Sequence, residues 1–361
     1  MSPIHLGMVT ARTSSGRGHA AFSGPDSEWD RLALSVHAPP FSRPGWVRPW
    51  SAMARRRLEI VVAGPTARPT ALLPMVARGG GLGSAADWHV PVLEAIALDD
   101  GAMDELAEAV IDGRRRVTLD FCDPGGATAT GFRRALVARG FTIRERVKMH
   151  SPFVDLGAGR EAFGDGLGAK KLRELGRRRR RLEEEGRVTL AVDDGSTDLD
   201  RALTEGFAVE GSGWKAATGT AIRSRPRTER FYRDVAAWAA GEGMLRLAFL
   251  RVDGLAIAFD LALVAAGREW LLKTGYSPAW SRYSPGSLLR AAAIDRAFDD
   301  GLTAYEFAGG ADRWKLEWTG RCRDIGVIDA FAPGAMGDLL RGGSRAARRL
   351  RCLAHMDMRR R

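Results

Sequence analysis

Two acidic side chains lie where acids are rarely found. Glu306 lies inside the apolar run Tyr305-Glu306-Phe307-Ala308, and Asp260 interrupts Ala256–Val264. Burying a carboxylate is costly unless it is paired or holds a proton. A desolvated carboxyl with a raised pKa can take a proton from an amine or hydroxyl nucleophile. The alternative is a structural ion pair, with Lys273 or Lys315 as the partner. These are two of only six lysines among 55 basic residues, and each is flanked by aromatics: Trp270 and Tyr276 around Lys273, Trp314 and Trp318 around Lys315. In so arginine-rich a chain, a retained compact ammonium suits the oxyanion of an acyl-transfer intermediate. The competing reading is an ordinary solvated lysine beside core tryptophans.

A third feature follows the segment Lys273-Thr274-Gly275-Tyr276. There Ser284-Pro285-Gly286-Ser287 opens an amphipathic stretch with Leu289, Ala293, Ile294, Ala297 and Phe298 on one side. A strand leading into a helix N-terminus offers unpaired N–H groups and the positive end of the dipole, a combination suited to a diphosphate. The same residues also serve as a plain turn and cap. Other chemistries find no pattern. The six histidines are dispersed without zinc spacing, so no metal is expected. No Gly-x-Ser-x-Gly elbow, phosphate-binding Walker loop or dinucleotide fingerprint occurs. GGGLG at 79–83 follows a strand without a convincing helix behind it, and reads as a loop.

The elements that must position these residues fit two domains. The chain has 361 residues, 45% apolar and 27% charged, enough for two cores. Its net charge of +11 is concentrated: Lys170–Arg181 and Arg341–Arg361 each carry eight basic residues against one acid, and the remainder is slightly acidic. That distribution disfavours a general nucleic-acid-coating protein, which would be basic over a whole face. Cys122, Cys322 and Cys352 are far apart, consistent with a reduced compartment. The start lacks a basic and then apolar leader. The longest apolar run, Leu255–Gly267, is broken by Asp260 and too short to span a bilayer. A soluble cytoplasmic protein is the expectation.

Residues 1–30 show no hydrophobic period and are expected to be disordered. Residues 56–64 and 70–80 read as a strand pair, 99–112 as a helix, 116–123 as a buried strand, 128–139 as a helix and 141–156 as a long strand. Residues 160–187 form a basic helical patch whose Leu172, Leu175 and Leu182 share a side, with Gly176 and Gly186 limiting its length. Its arginines either pair with Glu183–Glu185 on a solvated face or meet an anionic partner. From Val188 the alternation resumes: strand, helix at 198–210, helix at 228–241, three strands over 245–277, helix at 287–300, a strand containing Glu306, and a short aromatic segment. The fold class is α/β, and the two halves have comparable order.

Taken together, GWKAATGTAI (213–222), RFYRDVAAWAA (230–240), LRLAFLRVDGLAIAFDLAL (245–263), WLLKTGYSP (270–278), YSPGSLL (283–289) and YEFAGGADRWKLEWT (305–319) resemble the FemAB-like branch of the GNAT acyltransferases. More narrowly they resemble the CelD-like acetyltransferase domain linked to cellulose and exopolysaccharide biosynthesis. The resemblance implies two tandem GNAT-like folds joined by the basic helix: a disordered 1–30, a first, degenerate domain over 31–155, a second, donor-binding domain over 156–335, and a basic tail over 336–361. It implies an acyl-CoA co-substrate, acetyl-CoA above all, held at Ser284, Pro285, Gly286, Ser287 and Leu288. Lys315 in Lys315-Leu316-Glu317-Trp318 matches the family's oxyanion lysine. Glu306 stands where the family usually has Asp, and Ser277 stands where it usually has Asp after Gly-Tyr.

The expected activity is N- or O-acyl transfer to an amino sugar, polysaccharide precursor or similar polar acceptor, by direct attack on the thioester. Glu306 or Asp260 would act as base, with Lys315 and Tyr276 in the catalytic group, and Trp214, Lys215, Lys273 and Trp318 would line the acceptor side. The first alternative is an aminoacyl-tRNA-dependent FemAB-type transferase, with the basic helix and tail on tRNA phosphates. The second is a non-catalytic binding protein of an envelope polysaccharide assembly, its basic segments touching anionic lipid.

Overall fold

The computed structural model describes residues 24–213 and 219–343. The basic tail from 344 onward, and Trp214 and Lys215, lie outside the described residues. Residues 26–30, expected to be irregular, begin a helix that buries Trp29 and Leu32. In chain order the elements are α1 (Asp26–Ser35), α2 (Pro44–Ala54), β1 (Leu58–Ala63), β2 (Ala71–Arg78), β3 (Gly81–Ser84), β4 (Ile96–Ala97), α3 (Asp100–Ile111), β5 (Arg116–Cys122), α4 (Ala127–Ala138), β6 (Thr142–Asp155), α5 (Arg160–Glu183), β7 (Val188–Asp193), α6 (Leu199–Glu210), α7 (Pro226–Gly241), β8 (Leu245–Val252), β9 (Leu255–Ala265), β10 (Arg268–Tyr276), α8 (Pro285–Asp299), β11 (Ala304–Glu306), α9 (Arg313–Leu316) and β12 (Cys322–Phe331). No described helix is long and apolar enough to cross a membrane.

The described residues divide into two compact units, 24–47, 56–148 and 325–343 in the first and 48–55, 149–213 and 219–324 in the second. In the first unit β1, β2 and β3 form an antiparallel meander, β5 lies parallel to β3, and β12 closes antiparallel on β5. Residues 326–331, which the sequence places with the second domain, therefore complete the first unit's sheet. The GGGLG segment is not all loop: Gly81–Ser84 is a strand. Glycine permits this, because a Cβ on Gly81 would lie 2.1 Å from the Arg116 carbonyl oxygen. Helix α3 crosses from the meander to β5, and its N-cap Asp99 accepts the Ala102 N–H at 2.8 Å.

The second unit repeats this order. β8, β9 and β10 form an antiparallel meander with β7 on its outer side, α8 crosses over, β11 lies parallel to β10, and the end of β6 closes antiparallel on β11. Strand pleating assigns the faces. Asp260 of β9 and Thr274 of β10 point at α8. Phe259 packs on α6 so tightly that a Cβ on Gly206 would lie 2.2 Å from its ring. Helix α5 runs straight through Gly176 and is kinked instead at Gly168 (φ 77°). Leu175 and Leu182 pack inward as expected, whereas Leu172 is exposed.

Candidate active site

The second unit has an opening between two parallel strands. Pairing of β10 with β11 covers only Arg268↔Ala304, Glu269↔Tyr305 and Trp270↔Glu306. Beyond that point β10 stays on β9 as far as Tyr276↔Ala258, with a bulge between Leu271 and Lys273. The chain after Glu306 leaves the other way, since the Phe307 N–H donates to the Pro152 carbonyl at 3.1 Å. The strands diverge where the bulge bends β10, as bulges next to functional sites do. The corresponding place in the first unit is shut. There Ser84 Oγ, at the end of β3, accepts the Asp120 N–H at 2.8 Å and donates to the Thr118 carbonyl at 3.3 Å on β5.

Helix α8 begins beside this opening. Ser284 holds a left-handed conformation (φ 51°) ahead of Pro285. The five residues expected to cradle phosphate reduce to fewer free donors. Ser284 N–H is bonded to Ser281 O, Pro285 has none, and the Ser287 and Leu288 N–H groups go to Ser284 O at 2.9 and 3.2 Å. Gly286 retains an N–H without an acceptor among the described residues, and a Cβ there would lie 3.5 Å from Tyr276 Cδ1. The 42% exposed Tyr276 thus stands against the start of α8. A second donor comes from the basic helix: Arg178 of α5 hydrogen-bonds Ser284 Oγ and pairs with Glu174 at 2.7 Å. The run Lys170–Arg181 is therefore not wholly a solvated face.

Asp260 and Glu306 are both buried, as their apolar strands suggested, but on opposite faces and with arginines rather than lysines as partners. Arg290 of α8 lies 2.6 Å from Asp260, donates to Thr274 Oγ1 at 3.1 Å and bonds the Tyr305 hydroxyl. Burial opposes the charge on Arg290, but Asp260 and Tyr305 together outweigh it and raise the guanidinium pKa. Glu306 accepts from Arg323 at 2.8 Å and from Arg268 at 3.4 Å. Burial raises its pKa, and the two arginines counteract part of the rise. Both acids expected as candidate bases are thus paired with arginines.

Lys315 is likewise engaged. Its Nζ donates to the Ala308 and Gly310 carbonyls at 2.8 and 2.9 Å and pairs with Asp312 at 3.0 Å. Those three acceptors fix the turn after β11, in which Ala308 and Gly309 take positive φ. The Lys315 ammonium, expected at the oxyanion, thus holds this turn. Trp318, expected on the acceptor side, is 4% exposed and packs in the core with Leu271, Ile294 and Phe307.

Lys273 differs from these. It follows the bulge on the α6–α7 face, its Nζ lying 4.9 Å over the Tyr232 ring of α7. Burial lowers its pKa, with the Glu210 charge opposing.

Sequence reasoning missed Arg178 and Arg290. The second had a signal: it lies about one turn from Ala293 and Ile294 and nearly two from Ala297, a charge inside the apolar stripe. Arg178 had none, being one of five consecutive arginines.

Residues 169–316 match the family model described as acetyltransferase (GNAT) domain. The match runs from α5 to α9 and includes both strands of the opening. Among solved structures the chain is similar to FemX, with 10% identity over 84% of this chain and 95% of that one at a TM-score of 0.59. It is also similar to the C-terminal domain of a protein described as a lysylphosphatidylglycerol synthetase from Agrobacterium fabrum, with 14% identity over 90% and 96% at 0.56. A third likeness is to L-PGS from Bacillus licheniformis, with 13% identity over 84% and 96% at 0.52. At such identities the likeness shows the fold alone, a mixed α/β architecture. A comparison with curated proteins gives no match.

Proposed function

We propose that the chain transfers an acyl group from a CoA thioester to the amine or hydroxyl of a polar acceptor such as an amino sugar or polysaccharide precursor, as the CelD-like resemblance implies. The observation that carries this reading is the divergence of β10 from β11 beside the unpaired Gly286 N–H at the start of α8. A diphosphate suits that helix end, where the dipole and Arg178 add positive potential. β10 has lost its parallel neighbour beyond Trp270, which leaves backbone groups for an extended thioester arm. Tyr276 stands between the helix start and the strand end. The acceptor then attacks the thioester carbonyl directly, without a covalent enzyme intermediate. Lys315 holds the turn that forms the far lip of the opening.

The test is a thermal-shift screen with CoA thioesters of several acyl lengths, with the matching pantetheine thioesters as controls. Stabilisation by the CoA compounds and not by those lacking the diphosphate is expected. No shift with any of them contradicts the reading.

Arg178 favours a second reading, transfer from an aminoacyl-tRNA, since a guanidinium at Ser284 could equally meet a nucleic-acid phosphate. A salt series separates the two. A steep loss of tRNA affinity with rising salt supports the second, and CoA stabilisation without tRNA binding supports the first.

A further inference from the structure

Attack on a thioester by an amine or hydroxyl needs a group to accept the nucleophile's proton. The structure commits Asp260 to Arg290 and Glu306 to Arg323 and Arg268. Beside Tyr276 at the opening stands a titratable group not committed in this way, Lys273, the first residue of β10 past the bulge. Among the described residues the Lys273 ammonium makes no hydrogen bond and no ion pair; its near neighbour is the face of Tyr232. Lys171 and Lys315, by contrast, each have a carboxylate within 3.0 Å.

We propose that Lys273, as the neutral amine, is the general base that takes the proton from the acceptor nucleophile. The proposal rests on the acyl-transfer reading and adds the identity of the base.

The surroundings of Lys273 are consistent with this role. From α6 the charged neighbour is Glu210, whose carboxylate accepts the Ile222 N–H at 3.0 Å. From α7 it is the Tyr232 phenol. Across on β9 the paired residue is Leu261, which is apolar and fully buried. On its own face of the sheet Glu306 and Arg268 neutralise each other, and Asp260 and Arg290 lie on the opposite face. Helix α6 is pressed onto β10, since a Cβ on Gly275 would lie 2.4 Å from Glu210 Cα. Burial lowers the pKa of the amine, and the Glu210 charge opposes that shift.

The step balances. The acceptor nitrogen or oxygen bonds to the thioester carbonyl carbon while its proton passes to Lys273 Nζ. The C–S bond breaks, the CoA thiolate takes up a proton, and Lys273 returns one to solvent. The products are the acylated acceptor and free CoA thiol.

With only six lysines in the chain, reductive 13C-methylation gives an NMR spectrum in which each amine titrates separately, with Lys273→Arg identifying the resonance. The expected result is a Lys273 amine titrating well below the other lysines, and an acid limb in kcat/KM with the same midpoint. Lys273→Met, which fills the same space, is expected to lose that limb and about 100-fold in kcat/KM. Its CoA-thioester affinity by calorimetry and its folding by circular dichroism should be unchanged. Lys273→Ala should be partly rescued by added methylamine. A Lys273 resonance titrating with the rest, or an acid limb surviving in Lys273→Met, overturns the proposal while acyl transfer stands. Wild-type protein that neither binds nor turns over a CoA thioester overturns both.

Discussion

Arg290, wholly buried in α8, holds Asp260 at 2.6 Å and ties β9 to the Tyr305 hydroxyl of β11. The pair joins the helix to the two strands that flank β10, so it fixes the frame of the opening without entering the chemistry. Removing one partner leaves the other charge buried and uncompensated. Asp260→Ala is expected to lower stability by about 3–5 kcal/mol in urea denaturation. A loss below about 1 kcal/mol would mean that the pair is open to water.

Lys315 makes the corresponding link on the other lip. Lys315→Ala removes the donor of the Ala308 carbonyl and one of the two donors of the Gly310 carbonyl, which keeps the Asp312 N–H. A destabilisation of about 1–3 kcal/mol is expected. Limited proteolysis should show new cleavage within 308–312. If Lys315→Ala instead keeps its stability and its proteolytic pattern but loses turnover, the lysine acts on the reaction rather than on the turn.

The first unit contains a pH-sensitive acid. Glu94, whose carboxylate accepts the Asp123 N–H at 2.7 Å, has its pKa raised from 4.5 to about 7 by burial. Because the folded value is the higher one, folded protein binds the proton more tightly. Stability therefore falls as pH rises from about 4.5 to about 7. Glu94→Gln keeps an acceptor oxygen and removes the charge. It is expected to be more stable than wild type at pH 8, by at most about 3 kcal/mol, and indistinguishable at pH 4. Urea denaturation across that range checks the sign.

Much of this fold was legible because its signals are local. Helix α3 announces itself by Asp99 and its apolar stripe, and the meander by β-branched runs broken at Asp253-Gly254. The β3 strand was hidden, because its glycines let Arg116 and Arg78 approach and carry no hydrophobic period. The strand from the chain's end that completes the first sheet could not be seen either, since register across two hundred residues leaves no mark in spacing. In the site, the unusual positions of Asp260, Glu306 and Lys315 were legible, but their roles were not. A buried charge shows that a partner exists, and only the fold shows that the partners are Arg290, Arg323 and the turn carbonyls. Trp318 illustrates the same limit, since an aromatic beside a lysine reads alike in a core and in a binding site.

The central claim is that the start of α8 receives the diphosphate of an acyl-CoA. Calorimetric titration of wild type and Gly286→Asp with acetyl-CoA tests it most directly. Space for the side chain exists, and an acid in the first turn complements the dipole, so the variant should fold at least as stably as wild type. The account predicts binding by wild type and at least about a tenfold loss in the variant, where a fixed carboxylate meets the incoming phosphates. Equal affinity in the two proteins, or no binding by wild type, would contradict it.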